Sequence, residues 1–298
     1  LHMGLPKAYG GTERTLAQIL HANEVITAVD GSIGWVTMIY STMGIISGLM
    51  PAQQAKQVYN NRTISCGVTP PNGRGEFVPG GIKVSGRWSW SSGAHNAAWI
   101  GAGTLVMEGD KPPQLPTGEP LVHMCFFERS QVTLLDDWDP SGLIGTGSGD
   151  FVVKDAFVPQ DRWIILGDTS PQVDGPLYRF PFFGALAAAH GAFALGVAQN
   201  AVNSLVDLAR GKIPTWFRDT LAKNPATQTH LGRAEAQLYA ARANLYEIVD
   251  EVWDCVVRGD EVSLEHRRRL RFAGLYVTEV ATEIVNKMYL LGGGSSIH

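Results

Sequence analysis

Two changes of periodicity along the chain set its fold class. Over residues 12–60 apolar side chains recur at helical spacing, at Leu16, Ile19, Leu20, Ile26 and Val29, with Thr12 as a candidate N-cap. Gly31-Ser32 punctuates, a second apolar helix runs from Ile33 to Leu49, and Pro51 suits the first helical position of "PAQQAKQVYNN". Over residues 62–166 the period drops to two. The runs "GIKVSGRWSW", "WIGAGTLVM", "LVHMCFFERSQVTLL" and "DFVVKDAFVP" are separated by turn signals at Pro70-Pro71-Asn72-Gly73, Pro112-Pro113 and Asp139-Pro140-Ser141-Gly142. From about Phe183 the helical period returns in three long stretches, 183–211, 225–258 and 263–290. Helical, β and helical blocks in that order make an α+β chain. The expectation is an N-terminal helical domain over 1–61, an antiparallel β-barrel or sandwich over 62–166 and a C-terminal helical bundle over 167–298.

Composition narrows the function classes. The chain has 298 residues, 45% of them hydrophobic, enough for a large core and more than one domain. A net charge of -4 and a pI near 6.1 argue against a nucleic-acid surface. Arg267, Arg268, Arg269 and Arg271 sit in a helical pattern and read as a solvated face or a subunit contact. The three cysteines, Cys66, Cys125 and Cys255, are far apart, with no metal spacing and no disulfide framework, which fits a reducing cytoplasm. "LHMGLPKAYGG" has no apolar segment of the secretory kind, and no stretch reaches the uninterrupted apolar length of a membrane span. Phe180 to Val197, broken by Gly184, His190, Gly191 and Gly196, reads as a buried helix.

The stretch "GRWSWSSGAHNAAWIGAGTLV" (86–106) combines tryptophan and serine in an unusual way. At period two, Trp88 and Trp90 would share an apolar face, leaving Ser89 and Ser91 opposite and Ser92 at a turn. Two readings stand. The serines either cap a strand turn, or they line a platform for a flat ligand with a polar edge.

Four motifs in order resemble the acyl-CoA dehydrogenase superfamily: "LPKAYGG" (5–11), "VSGRWSWSSG" (84–93), "GLIGTGSGDFVVKDAFVP" (142–159) and "YLLGGGSSIH" (289–298). "GRWSWSSG" and "GTGSGDFVVKDAFVP" resemble its oxygenase branch, the oxygenase components of two-component flavin-dependent monooxygenases such as the 4-hydroxyphenylacetate and steroid-phenol hydroxylases and the dibenzothiophene oxygenase. The resemblance implies an enzyme that takes reduced FMN or FAD from a separate flavin reductase. It would bind O2, form a C4a-hydroperoxide and hydroxylate an aromatic or polycyclic small molecule. It also implies a homotetramer, and helices before residue 1 and after residue 298.

The same resemblance assigns roles. Ser92 is expected as the catalytic hydroxyl near flavin N5, with Trp90 as the apolar wall and Thr69 and Ser91 beside the cofactor. Arg210 would meet the flavin phosphate of an adjacent subunit, with Lys212 as the other candidate. Gly293 and Gly294, following Gly292, would allow close backbone approach to flavin. Trp35, Met43, His95 and Arg179 are candidates for the substrate side. Helix 33–49 lacks the histidine that the branch often carries there, and His298 stands where many relatives have tyrosine. No metal is expected.

An acyl-CoA dehydrogenase proper is the alternative. It needs a carboxylate base beside the flavin. No Asp or Glu occurs between Asp174 and Asp207, and the loop at Thr69-Pro70-Pro71 lacks the glutamate that true dehydrogenases usually carry. A flavin-free scaffold of the same fold is the third reading.

Overall fold

The computed structural model describes residues 1–59, 63–109, 111–115, 118–167 and 169–297. The expected boundary at 61–62 and His298 lie outside the described residues. In chain order the elements are α1 (Leu16–Thr27), α2 (Gly31–Ile46), α3 (Ala52–Val58), β1 (Ser65–Val78), β2 (Gly81–Trp88), β3 (Trp99–Met107), β4 (Val122–Glu128), β5 (Thr133–Leu134), β6 (Phe151–Pro159), β7 (Trp163–Ile165), α4 (Pro176–Arg179), α5 (Phe182–Gly211), α6 (Pro225–Arg258) and α7 (Leu264–Gly292). They form two units. One comprises Leu1–Thr15 and Trp35–Arg179, the other Leu16–Gly34 and Phe180–His298.

The first unit is built on a seven-stranded sheet of order β5-β6-β2-β1-β3-β4-β7. All its pairs are antiparallel except β1 with β3, which run parallel from Ser65↔Trp99 to Glu76↔Met107. This corrects the expected antiparallel barrel in two respects. The link between β2 and β3 carries the chain past β1, so β3 arrives on its far side in the same direction. The edge strands β5 and β7 have two and three residues, too few to close the sheet, which stays open. A third correction concerns Pro70-Pro71-Asn72-Gly73, expected as a turn. These residues lie within β1, where its pairing with β3 shifts register between Val68 and Gly73. Proline has no N–H to give to a ladder, and a register break is where a strand tolerates it.

The core of the sheet is organised by Trp88. Its buried indole stacks on Phe151 at 5.0 Å and 9°, and Nε1 donates to the Gly103 carbonyl at 2.7 Å. Glycine makes room for it. A Cβ on Gly73 would sit 2.2 Å from Trp88 Cζ2, and one on Gly86 2.7 Å from Cη2. Burying a side chain of this kind contributes roughly 1.5–3 kcal/mol, lost if either glycine is replaced and the indole displaced.

The second unit packs α5 against α7 and α1, with α6 against α7. Small residues set the closeness of the first contact. A Cβ on Gly191 would lie 3.3 Å from Gly274 Cα, and one on Gly274 2.4 Å from the Ala187 carbonyl. Local signals delimit the helices. Asn224 caps α6 through its side-chain oxygen with Pro225 as first residue, Gly259 ends it at φ 79°, and Ser263 caps α7. Thr12 does not cap α1. That helix starts at Leu16, after a turn in which Glu13 has φ 45° and the Thr12 amide bonds the His2 carbonyl. Pro51 is the N-cap of α3 rather than its first residue.

Two helical stretches, Gly31–Leu49 and Phe182–Gly211, are long and apolar enough to cross a membrane, contrary to the sequence expectation, since scattered glycines lower hydropathy little. Buried positions make up 61% and 56% of their apolar windows, as in core helices.

Candidate active site

The site is assembled where two turns meet in the first unit. β2 ends at Trp88, and the chain then turns sharply. Trp90 has φ 66°, an uncommon conformation for a bulky residue, and the residue is 69% exposed. Trp88 and Trp90 therefore do not share a face, because the alternation stops one residue before Trp90. Beyond it, Ser91 donates both its amide (3.0 Å) and its hydroxyl (2.6 Å) to the Gly149 carbonyl. The Gly93 amide donates to the Thr146 carbonyl at 2.9 Å. The two turns, 90–96 and 143–149, are thus fastened together by backbone and serine. Gly93, at φ 77°, also lies so near Tyr40 that a Cβ there would be 2.5 Å from its hydroxyl. The Tyr40 hydroxyl donates to the Gly93 carbonyl at 2.8 Å, and burial pushes its pKa up to about 12.

Ser92 sits at the centre of this junction. Trp35 Nε1, on α2, donates to Ser92 Oγ at 2.9 Å. Ser92 Oγ and Ser148 Oγ are 2.7 Å apart, Ser148 Oγ and Thr146 Oγ1 are 2.5 Å apart, and Thr146 Oγ1 donates to the Leu143 carbonyl at 2.8 Å. Ser92, Ser148 and Thr146 are all buried. Three buried hydroxyls in a row, beside an exposed indole in a strained conformation, are costly for a fold to hold and suit a ligand-binding edge.

The other expected residues are distributed as follows. His95 is exposed, and its ring lies against Gly147, where a Cβ would be 2.8 Å from Cδ2. Thr69 lies in the register break of β1. Met43 is buried against the sheet, its side chain facing Gly67 and Gly101. Arg179 is exposed at the end of α4. Arg210, Gly293 and Gly294 belong to the second unit and are exposed there. Arg210 pairs with Asp207 at 3.2 Å, one turn away on α5. Lys212 Nζ donates to the Gly292 carbonyl at 2.5 Å and to Ser295 Oγ at 3.0 Å, so it holds the C-terminal glycine turn, in which Gly293 has φ 57°. Trp35, Ser91 and Ser92 are thus brought together, with Trp90 and His95 on the same turn. Ser148 and Thr146 were not singled out by the sequence, although "GTGSG" marks them, since hydroxyls spaced by glycines carry their own signal of a tight polar turn.

Residues 188–298 match the family described as acyl-CoA dehydrogenase, C-terminal domain. Indole-3-acetate monooxygenase of Pseudomonas putida is 32% identical over 297 residues, covering 99% of this chain and 74% of that protein. The flavin-dependent monooxygenase oxygenase subunit HsaA of Rhodococcus jostii (strain RHA1) is 28% identical over 304 residues, covering 98% and 77%. Among solved structures, XiaF from Streptomyces sp., in complex with FADH2 and glycerol, has a TM-score of 0.89 at 20% identity, covering 100% of this chain and 76% of that one.

Fold and C-terminal match together define a flavoprotein of acyl-CoA dehydrogenase architecture. Within that class the chain belongs to the oxygenase components of two-component flavin-dependent monooxygenases, which use reduced flavin. It is an oxidoreductase, and the dehydrogenase alternative is set aside. The residues at the junction fit such a cofactor. A reduced flavin carries N–H groups on its polar edge, and Ser92 Oγ, with Trp35 and Ser148 as its neighbours, is a buried acceptor beside a flat exposed ring.

Proposed function

We propose that the junction of the 90–96 and 143–149 turns holds the polar edge of reduced FMN or FAD, and that the substrate is an aromatic small molecule. The observation that carries this is the buried Ser92 hydroxyl, fixed by Trp35 and Ser148 next to the exposed Trp90 ring. When bound, reduced flavin supplies the redox chemistry, activating O2 so that one oxygen atom passes to the substrate. The chain's own work is positioning. Ser92 Oγ would accept a hydrogen bond from flavin N5–H and keep that proton in place, and the Trp90 ring would cover the cofactor and keep water from it. Ser91, through Gly149, sets where Ser92 stands, and Thr69 lies beside the cofactor. Trp35, His95 and Arg179 face the substrate side, whereas the side chain of Met43 is packed on Gly67 and Gly101 of the sheet and does not reach it. Arg210, with its planar guanidinium, meets the cofactor phosphate of an adjacent subunit, and Gly293 and Gly294 let backbone approach it.

An aromatic substrate is supported by the indole and phenol groups of Trp35 and Tyr40 on α2, and by the relative that acts on indole-3-acetate. The enzyme works in the cytoplasm with a separate flavin reductase and assembles as a homotetramer. Exposed Phe272 (54%), Leu275 (67%) and Leu290 (70%) on α7 give the apolar surface for assembly. Light scattering should return four times the chain mass at micromolar concentration, and a monomer would remove the role given to Arg210.

The experiment supplies reduced FMN or FAD through a flavin reductase, in air, with a panel of indole acids and phenols. At least one aromatic should gain the mass of one oxygen atom. Peroxide and oxidised flavin as the only products across the panel, together with dye reduction by an acyl-CoA, would overturn the proposal.

A further inference from the structure

The hydroxyl chain has a direction, and that direction bears on the redox state of what Ser92 can bind. A hydroxyl has one proton and two lone pairs. Thr146 Oγ1 spends its proton on the Leu143 carbonyl, which can only accept. With the Thr146 proton on Leu143, whose carbonyl also accepts from the Thr146 amide and Trp138 Nε1, Ser148 is the donor in its contact with Thr146. In that order Ser92 is the donor in its contact with Ser148. Trp35 Nε1 can only donate, and it donates to Ser92. The chain thus reads Trp35 to Ser92 to Ser148 to Thr146 to Leu143, one proton per link. Ser92 Oγ has given its proton inward, has accepted one bond, and keeps one lone pair. Towards a ligand it is an acceptor only.

This matters because the two states of a flavin differ at one nitrogen. Reduced flavin has an N–H at N5 and oxidised flavin has a bare nitrogen there, an acceptor. A fixed acceptor welcomes the first and faces the second lone pair to lone pair. We propose that Ser148 and Thr146 are positioning residues which hold the Ser92 hydroxyl in its accepting orientation, so that the site selects reduced over oxidised flavin. The inference rests on the placement of flavin at Ser92 made above. Neither residue touches the cofactor. Both act through Ser92, and the anchor is the carbonyl of Leu143, itself fixed by a turn in which Leu143 has φ 56°.

Removing a link reverses the orientation rather than merely loosening it. In Ser148→Ala the Ser92 proton has no inward acceptor and turns towards the ligand. In Thr146→Val the Ser148 proton is freed to point back at Ser92, which then accepts twice inward and donates outward. Thr146→Ser keeps the hydroxyl and the direction.

The test is equilibrium binding to the purified full-length protein, with oxidised flavin in air and reduced flavin under anaerobic conditions, read as the ratio of the two Kd values. A hydrogen bond exchanged for a lone-pair clash changes such a ratio by about tenfold or more. Ser148→Ala and Thr146→Val should each lower the preference for reduced flavin by about tenfold, and Thr146→Ser should retain it. A purely structural role would weaken both forms together and leave the ratio alone. An unchanged ratio in Ser148→Ala and Thr146→Val, in a parent that binds flavin, overturns the orientation inference only. A parent that binds neither form overturns the placement of flavin, and this inference with it.

Discussion

Two of the buried polar clusters differ in how protein groups complete them. In the second unit Glu24 on α1 is 6% exposed and every oxygen is spoken for: Arg242 Nε donates to Oε1 at 2.7 Å and the Tyr246 hydroxyl to Oε2 at 3.1 Å. The pair ties α1 to α6 across 218 residues of sequence. In the first unit the row Trp35, Ser92, Ser148 and Thr146 is neutral, and in the proton order inferred above it ends with an acceptor lone pair on Ser92 that no group among the described residues uses. The closed cluster braces helices. The open one is the edge proposed above for the cofactor. Both are hydrogen-bonded at a buried centre; what separates them is that the first is a charged pair joining two helices, and the second a neutral row joining two turns beside the exposed Trp90.

The largest expected effect breaks the brace. Arg242→Ala leaves the Glu24 carboxylate buried with only Tyr246 beside it, and should cost on the order of 3 kcal/mol of stability in urea unfolding. Activity per folded molecule should stay near that of the parent. A change under 1 kcal/mol would mean that Glu24 is not held as a charge by this pair.

A third buried polar group, neither brace nor site, sharpens the contrast. His123 on β4 is packed edge-on between Phe77 and Trp163, and its Nδ1 has no hydrogen-bond partner among the described residues. Burial lowers its pKa from 6.5 to about 4. The unfolded chain takes up a proton as pH falls through 6.5, while the folded chain does not until about 4. The stability it contributes is complete above pH 6.5, shrinks as pH falls and is gone below about 4. Between pH 7 and pH 5 the parent should lose about 2 kcal/mol that His123→Phe does not lose. Parallel pH profiles for the two proteins would show that this histidine is not the titrating group.

The smallest effect on the fold falls on the open cluster. Ser92→Ala should change stability by less than about 1 kcal/mol, because Trp35 and Ser148 can each reorient by small amounts. Reduced-flavin affinity should drop about tenfold, and more of the oxygen consumed should appear as peroxide. Unchanged affinity with a large loss of stability would make Ser92 a turn residue.

Much of this was legible in the sequence, and the parts that were not have a common cause. The long helices were read to within two residues, since capping signals such as Asn224-Pro225, Gly259 and Ser263 act locally. The runs that became β3 and β6 were equally plain. Pro70-Pro71 misled because a register break within β1 uses the same residues as a turn. The parallel pairing of β1 with β3 and the open sheet depend on how a link crosses, which alternation does not encode. Ser92 was found through its tryptophan and serine neighbours. Its partners Ser148 and Thr146 were not, because they lie 56 and 54 positions further along and only the fold brings them together. Trp90 was placed on the Trp88 face by period two, and a single residue at positive φ was enough to end that pattern. The same locality explains why the Glu24–Arg242 brace left no trace in the sequence.

The contrast between a closed and an open cluster is tested most directly by one paired measurement: melting temperature and reduced-flavin Kd, for Arg242→Ala and Ser92→Ala side by side. Arg242→Ala should lower the melting temperature by several degrees with Kd unchanged, and Ser92→Ala should raise Kd about tenfold with the melting temperature nearly unchanged. If both variants shift both quantities together, the two clusters are doing the same job and the assignment of Ser92 to the cofactor is contradicted.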